Sequence, residues 1–226
     1  MNNIKWNFSD ESVLIVGGSR GIGKTLAEIF KLSGANVAII SKDNCDISKK
    51  KEIDKYFLSF NKDIDILVNV AAINYTKKIN DISYEEWEKV ISTNLTSYYY
   101  IIKKTIDKMK DGGKIVNVSS IAGRNRSIVS GAHYTSSKAA IIGLTRQLAF
   151  EFGERNINVN VVCPSQTLTD MLKDSMTDEQ LKELAQNIPL KRIANVNEQV
   201  YPIMFLCSEE ASYITGAVID VNGGQL

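Results

Sequence analysis

Short apolar runs rich in β-branched residues alternate along the chain with longer stretches in which apolar residues recur at helical spacing. The runs that we predict as strands are 12–16, 34–41, 65–70, 114–119, 156–162 and 217–221. The stretches that we predict as helices are 24–32, 48–60, 83–109, 134–152 and 197–207. This alternation indicates an α/β fold with a doubly wound parallel sheet. No internal repeat, linker or low-complexity tail interrupts it, so we expect one domain over residues 1–226.

The connection after the second strand is too short for this pattern. Only residues 42–45 separate it from Asp46-Ile47, whereas a parallel crossover takes about a dozen residues or more. We therefore expect a strand at this pair to be a stub, which shortens the segment before the strand at 65–70. Ser48 then precedes a helix-like stretch and is predicted to cap it.

A glycine-rich turn, GGSRGIG, joins the first strand to the first helix. Glycine lets the chain turn tightly, and it lets backbone N–H groups approach a pyrophosphate at the N-terminus of the helix. A glycine loop alone is weak evidence, but its place between a strand and a helix predicts a dinucleotide site. The predicted contacts are Gly17, Ser19, Arg20, Gly21, Ile22 and Gly23.

The end of the second strand indicates which dinucleotide is preferred. An acidic side chain there would bond the ribose 2′-hydroxyl, and a basic one favours a 2′-phosphate. The strand runs into Ser41 and Lys42, and Arg20 lies in the glycine turn, so we predict NADP(H) over NAD(H). Asp43 keeps NAD(H) possible, because a small shift of the loop would bring its carboxylate to the ribose.

Tyr134 precedes Lys138 by four residues, which places both side chains on one face of a helix. A phenol has a pKa of about 10, and a neighbouring ammonium group lowers it. A hydroxyl from the pair Ser119-Ser120 would polarise a carbonyl at the same point. These groups together predict proton transfer at an alcohol or ketone, although the tyrosine and lysine alone also fit a chance pair on a helix surface. His133 is predicted to start the helix or line the substrate site, without proton transfer.

In this order the motifs resemble the short-chain dehydrogenase/reductase family over essentially the whole chain. The glycine loop is similar to the family's T-G-x-x-x-G-x-G, with Val16 in place of threonine. Residues 69–72 resemble N-N-A-G, and Pro164-Ser165 stands where the family has Pro-Gly. The tail from Pro189 onward is similar to that of the 3-oxoacyl-acyl-carrier-protein reductase subgroup. The resemblance implies a Rossmann-type sheet.

The resemblance also implies direct hydride transfer between a nicotinamide and a substrate carbon. Tyr134 would exchange a proton with the substrate oxygen, and Ser120 would orient that oxygen. Lys138 would lower the pKa of the tyrosine and bind the nicotinamide ribose, while Asn94 would hold a water leading to the lysine. The further cofactor contacts that it implies are Asp46 at the adenine, Thr169 at the carboxamide, and Ile47, Asn69, Ala71 and Pro164.

Substrate and partners are less strongly indicated. Arg124 and Arg126 follow the catalytic serine, and paired guanidinium groups suit a carboxylate or phosphate, so one hypothesis is an anionic substrate. The other is that both are solvated loop residues. The adjacent tyrosines at 98–100 cannot all face one way, and family members commonly form tetramers through this helix, so we expect a homo-oligomer, a tetramer or dimer. The polar stretch at 167–187 is predicted as a mobile flap.

Charge is nearly balanced, with 27 Lys and Arg residues against 26 Asp and Glu residues and a net charge of +1. This gives no reason to expect nucleic acid or an anionic membrane surface as a partner. No apolar run approaches the ~18 residues of a membrane span, and the polar N-terminus lacks the core of a signal peptide. Cys45, Cys163 and Cys207 are scattered without metal-type pairing, so we expect reduced thiols, no metal site and a cytoplasmic protein.

Three functions are compatible with these features. The first is NADPH-dependent reduction of a ketone in a 3-oxoacyl or carbohydrate-type substrate. The second is NAD-dependent oxidation of a sugar or polyol. The third is a non-catalytic, cofactor-sensing regulatory protein on the same fold, and the presence of both Tyr134 and Lys138 argues against it.

Overall fold

The β-branched runs form the strands of one parallel sheet. The computed structural model describes residues 5–127, 129–169, 172 and 176–226. Within these residues the strands are β1 (Ser12–Val16), β2 (Asn36–Ile40), β3 (Ile64–Asn69), β4 (Met109–Val118), β5 (Asn158–Pro164) and β6 (Val218–Val221). Their order is β2-β1-β3-β4-β5-β6, and every pairing is parallel. The predicted α/β sheet is therefore confirmed.

Helices cover both faces of this sheet. They are α1 (Gly21–Leu32), α2 (Lys50–Ser59), α3 (Tyr84–Ile91), α4 (Ser97–Thr105), α5 (Ala132–Glu151), α6 (Asp178–Gln186) and α7 (Val196–Cys207). Side chains of β1 alternate between two cores: Val13 and Ile15 pack with α1 and α7, whereas Leu14 and Val16 pack with α2, α4 and α5. Burial on both faces explains why the strands are continuous apolar runs in the sequence.

The strand order reverses beside β1, because β2 lies on one side of it and β3 on the other. The register pairs Val16 with Asn69 and Asn69 with Asn117, so the carboxyl ends of these strands are level at one edge of the sheet. Open α/β sheets bind ligands in the crevice at such a reversal.

The segment after β2 contains no strand. Residues 41–49 form turns, so the stub expected at Asp46-Ile47 is absent and β2 is an edge of the sheet. The side chain of Asn44 closes the loop, since its carbonyl oxygen accepts from the Ser41 N–H at 2.9 Å and its amide donates to the Ile39 oxygen at 2.8 Å. This amide covers part of the edge that a further strand would otherwise occupy.

Ser48 does not cap α2, contrary to prediction. Its hydroxyl donates to Asp46 Oδ1 at 2.7 Å, and its backbone N–H donates to the same oxygen at 3.1 Å. Lys49 occupies the position before the helix, and its ammonium pairs with the Asp46 carboxylate at 3.3 Å. The hydrogen bond from Ser48 contributes most to holding the pKa of Asp46 below its ordinary value. The Ser48 hydroxyl therefore bonds to Asp46 in its own turn and does not cap the helix.

The single helix predicted over 83–109 is divided. α3 ends at Ile91, a π-helical turn covers Ser92–Thr96, and α4 ends at Thr105. β4 begins at Met109, five residues earlier than predicted. Sequence periodicity does not reveal a π turn, because the apolar spacing on either side of it remains helical.

The predicted flap over 167–187 is described only in part. Residues 170, 171 and 173–175 lie outside the described residues, and 178–186 form α6. Thr177 caps α6 through a reciprocal pair of hydrogen bonds with Gln180. Across the described part of the chain, no helix is long and apolar enough to cross a membrane.

We predict that Phe57 anchors α2 to the core on this face of the sheet. Ile53 and Phe57 are the buried side chains of this helix, and Phe57 is 6% exposed. Phe57→Ala should lower the free energy of unfolding in urea by about 3–5 kcal/mol because it leaves a cavity. Leu58→Ala, at a neighbouring side chain that is 82% exposed, should change it by less than about 0.5 kcal/mol. Equal effects of the two changes would contradict this account.

Candidate active site

A cleft of about 870 Å³ opens at the edge of the sheet where the strand order reverses. The glycine turn after β1 forms one wall, and the end of β2 with the loop after it forms another. The segment after β3 and the inner face of α3 close the remaining sides. The turns at the carboxyl ends of three adjacent strands thus line one elongated site, as the predicted topology requires.

The glycine turn is shaped to receive a phosphate. Gly17 has a φ of +94°, and a Cβ there would lie 2.6 Å from the Ala71 nitrogen. A Cβ at Gly23 would overlap the Gly17 carbonyl oxygen. α1 begins at Gly21, and Arg20 before it makes no side-chain cap, so the N–H groups of the first turn are left for an anionic ligand. These residues fit the pyrophosphate of a dinucleotide.

The charged side chains of the cleft are mainly basic. Arg20, Lys42 and Lys89 line it, and none of them has an ion-pair partner among the described residues. Asp46 also lines it, but its carboxylate is already bonded within its own turn. Asp43 is exposed and does not line the cleft. The lining therefore favours a ligand with several negative charges.

Ser120 is the second residue after β4 and immediately precedes a short 3-10 turn, Ile121–Gly123. Its hydroxyl oxygen accepts from the Ala122 N–H at 3.1 Å and is hydrogen-bonded with Tyr134. The turn packs closely on α5, because a Cβ at Gly123 would lie 2.6 Å from the carbonyl carbon of Lys138. This close approach brings the serine of one element to the tyrosine of the other.

Lys138 is almost fully buried, at 1% exposure, and its ammonium donates to the Val118 carbonyl oxygen at 2.7 Å. Its Nζ lies 5.7 Å from the centroid of the Tyr134 ring. Burial lowers the pKa of Lys138 from 10.5 to about 7. Burial also raises the pKa of Tyr134, which the hydrogen bond with Ser120 only partly opposes. Desolvation is therefore the larger effect on the pKa of both groups in this arrangement, and the lowering of the tyrosine pKa by a charged lysine stays a prediction.

Asn94 lies buried in the π-helical turn between α3 and α4. Its Oδ1 accepts from the Ile73 N–H at 2.8 Å, and its Nδ2 donates to the Ile73 oxygen at 2.9 Å and to Ser137 Oγ at 3.2 Å. Ser137 in turn donates to the Tyr134 carbonyl oxygen at 2.7 Å. The Asn94 side chain thus links the loop after β3 to the first turn of α5.

Comparison with known proteins identifies the family of this chain. A family model described as Enoyl-(Acyl carrier protein) reductase matches residues 43–225. The chain belongs to the short-chain dehydrogenase/reductase family. It is 35% identical over 242 residues to the 3-oxoacyl-acyl-carrier-protein reductase FabG of Chlamydia trachomatis serovar D, with 95% of this chain and 97% of that protein covered. As a family member, the protein is an NAD(P)-dependent oxidoreductase that acts on CH–OH or carbonyl groups.

Solved structures of other short-chain dehydrogenases/reductases share its fold. A 3-oxoacyl-acyl-carrier-protein reductase with bound NAD from Brucella melitensis gives a TM-score of 0.90 at 28% identity, covering 100% of this chain and 98% of the other. The ligand-free aldohexose dehydrogenase of Thermoplasma acidophilum gives 0.86 at 31% identity, covering 96% and 94%. The family fold therefore extends along this chain, although its segment after β2 is short.

The predicted cofactor residues of this family member fall into three groups. Those that line the cleft are Gly17, Ser19, Arg20, Gly21, Ile22, Ser41, Lys42, Asp46, Ile47, Ala71 and Thr169. Gly23, Asn69 and Pro164 are buried behind it, so a direct contact through the Asn69 or Pro164 side chain is not available in this arrangement. Asn69 instead donates to Asn117 Oδ1 at 2.9 Å. Tyr134 and Lys138 belong to the group with Ser120 and Asn94.

Arg124 is bound within the protein and does not present a free guanidinium group. Its Nε donates to Asp220 Oδ1 at 3.1 Å, and its Nη2 donates to Oδ2 at 3.0 Å. This pair joins the turn after Ser120 to β6. The pairing with Asp220 argues against the hypothesis that Arg124 and Arg126 together bind an anionic substrate, and that hypothesis stays a prediction. Arg126 is exposed and has no ion-pair partner in the described part of the chain.

Sequence reasoning missed the position of Tyr98, which is fully buried beside Lys138. The signal was present, because Tyr98 follows Asn94 by four residues and one helical turn places both on the same side. Of its neighbours, Tyr99 is 48% exposed and Tyr100 donates to Asp54 at 2.6 Å. His133 lies in the first turn of α5, as expected, where its Nδ1 accepts from the Tyr134 N–H at 2.8 Å.

We predict that the buried lysine makes the stability of the cofactor-free protein depend on pH. Between about pH 7 and 8.5 the unfolded chain keeps the Lys138 proton and the folded chain loses it, so the free energy of unfolding should rise with pH. The slope contributed by one proton is at most about 1.4 kcal/mol per pH unit. Urea titrations at several pH values should show this slope in the native protein and lose it in Lys138→Met. Identical slopes would contradict the assignment.

Proposed function

We propose that this protein catalyses the NADPH-dependent reduction of a ketone to a secondary alcohol, on a 3-oxoacyl or carbohydrate-type substrate. The observation that carries the proposal is the charge at the end of β2, where Arg20, Ser41 and Lys42 line the cleft and Asp43 does not. A 2′-phosphate is doubly charged, and guanidinium and ammonium groups are its usual partners. The 2′-hydroxyl of NADH would call for a carboxylate at this position.

Residues on α5, in the turn after β4 and in the π-helical turn before α4 supply the proton chemistry of the proposed reaction. A bound nicotinamide would supply the hydride that reaches the substrate carbon. Tyr134 donates its hydroxyl proton to the substrate oxygen, and Ser120 orients and stabilises that oxygen through its own hydroxyl. Lys138, with a pKa of about 7, stabilises the resulting phenolate as an ammonium ion and can pass a proton back to it. Asn94 fixes the first turn of α5, on which Tyr134 lies, through Ser137.

The substrate class is supported by two likenesses of different kinds. The similarity to 3-oxoacyl-acyl-carrier-protein reductases favours an acyl thioester. The similarity to an aldohexose dehydrogenase favours a second candidate, in which the protein oxidises a sugar with NAD. For either substrate, Lys89 lines the cleft as a cation that an anionic group would meet, and Arg126 is an exposed cation in the loop after Ser120. Rates with the two cofactors and the two substrate classes would separate these candidates.

The same proposal extends to assembly and location. Large aromatic side chains on α4 and α5 lie in solvent, with Tyr99 48% exposed and Phe150 84% exposed, which supports a homo-oligomer, a tetramer or dimer. The cysteines are free and buried, which supports a reducing, cytoplasmic environment. One continuous sheet supports a single domain over residues 1–226.

We predict that Tyr134→Phe will lower kcat for ketone reduction by about 100-fold or more, because it removes the proton donor. NADPH affinity, followed by nicotinamide fluorescence, should stay within a few-fold of the native value. Tyr99→Phe, which removes a hydroxyl from an exposed ring, should leave both quantities unchanged. A Tyr134→Phe enzyme with native kcat would exclude the phenol as the acid.

We also predict that Arg20→Ala and Lys42→Ala will weaken NADPH binding by about 10- to 100-fold each, the usual effect of losing a charge-assisted hydrogen bond. NADH binding should change much less, so that the ratio of the two affinities falls. Asp43→Asn should alter neither affinity, because its carboxylate lies outside the cleft. Tighter NADH than NADPH binding in the native protein, weakened by Asp43→Asn, would instead place Asp43 at the ribose.

A further inference from the structure

Tyr98 lies next to Lys138, and its ring centroid is 5.6 Å from the Lys138 Nζ. It lies in the first turn of α4, directly after the π-helical turn that carries Asn94, and its side chain is fully buried. A leucine would fill such a core position without a polar group. A phenol there has to find an acceptor for its hydroxyl proton, so its partners indicate what the residue does.

The Tyr98 hydroxyl bridges the ends of two neighbouring strands. It lies 3.1 Å from the carbonyl oxygen of Ala71, just after β3, and 3.4 Å from that of Val118, the last residue of β4. Lys138 donates to the same Val118 oxygen at 2.7 Å. The tyrosine and the lysine therefore share one acceptor at the strand end that precedes the catalytic serine.

The Lys138 ammonium is surrounded by neutral groups. Its Nζ lies 5.6 Å from the Tyr98 ring centroid and 5.7 Å from that of Tyr134, within the range of a cation–π contact. Cys163 of β5 is the remaining titratable group that acts on it, and burial keeps that thiol protonated. None of the described carboxylates pairs with this lysine. The charged form thus depends on one carbonyl oxygen and two ring faces.

We propose that Tyr98 is a positioning residue. Its ring face and hydroxyl hold the Lys138 ammonium against the Val118 carbonyl, close to the Tyr134 ring. The proposal rests on the proposed function, because it concerns the lysine of the same proton transfer. It separates into two parts. The ring stabilises the charge on Lys138, and the hydroxyl fixes the distance between the ends of β3 and β4.

The test is an NMR titration of the protein labelled with carbon-13 at the lysine Cε, with the Lys138 signal assigned by its loss in Lys138→Met. Three proteins are compared: the native enzyme, Tyr98→Phe, and the enzyme with pentafluorophenylalanine at position 98. Fluorination keeps the shape of the ring but withdraws its negative face, so it weakens a cation–π contact without opening a cavity. The titration needs no substrate, so it is informative even if no ketone is reduced.

Removal of a contact that favours the ammonium should move the Lys138 midpoint to lower pH. We expect the native and Tyr98→Phe midpoints to agree closely and the fluorinated midpoint to lie about one pH unit lower. In reductive assays kcat should fall at alkaline pH as Lys138 loses its proton. In the fluorinated enzyme this fall should shift in the same direction as the Lys138 midpoint. Tyr98→Phe should lower kcat several-fold without moving that fall, because only the bridge between Ala71 and Val118 is lost.

Tyr100→Phe is the matched control. It removes a hydroxyl from the same helix, two residues away, where the bond runs to Asp54 and not toward the site. Neither the Lys138 midpoint nor the pH dependence of kcat should change in this variant. Equal midpoints in the native, Tyr98→Phe and fluorinated enzymes would overturn the role of the ring. A Tyr98→Phe enzyme with native kcat would overturn the role of the hydroxyl.

Discussion

The rest of this site depends on a buried lysine that has no carboxylate partner among the described residues. The Lys138 ammonium donates to the carbonyl oxygen of Val118, so the end of β4 and the first turns of α5 have to keep their relative positions. Ser119 reinforces this packing by donating to the Lys138 carbonyl oxygen at 2.7 Å. A displacement that broke these bonds would leave a buried ammonium group unpaired, at a cost of several kcal/mol. The lysine therefore takes part in the proposed chemistry, and its burial also restricts how β4 and α5 pack together.

Buried polar side chains at the same edge of the sheet also hold that framework together. Asn69 of β3 donates to Asn117 of β4 at 2.9 Å, and Asn117 donates to Thr145 of α5 at 3.0 Å. Paired amides and hydroxyls in a core of low dielectric favour one arrangement of the elements over others. The shortened segment after β2 lies on the opposite side of β1, where it shapes the cofactor cleft without interrupting these bonds. The short segment thus changes one end of the site and leaves the bonds between β3, β4 and α5 in place.

The sequence allowed the fold and much of the site to be predicted, because periodicity and motif spacing report local backbone structure. The parallel sheet, the glycine turn and the helix carrying Tyr134 and Lys138 follow from such patterns. Features that depend on distant partners did not. Arg124 meets Asp220 across 96 residues, and nothing near either residue in the sequence indicates that pairing. The burial of Tyr98 and the opposing effect of desolvation on the pKa of Tyr134 likewise depend on how α4, α5 and the sheet pack.

The most direct test of the proposed mechanism follows the hydrogen that moves from the nicotinamide to the product. The enzyme is supplied with a 3-oxoacyl thioester and NADPH that carries deuterium at both hydrogen positions of nicotinamide C4, and the alcohol product is examined by mass spectrometry. Direct hydride transfer with Tyr134 as the acid predicts one deuterium bound to the carbinol carbon. With unlabelled NADPH in heavy water, that carbon should carry none, because only the hydroxyl proton comes from the enzyme and solvent. Deuterium acquired from solvent at the carbinol carbon itself, or a product formed without the cofactor label, would contradict direct hydride transfer.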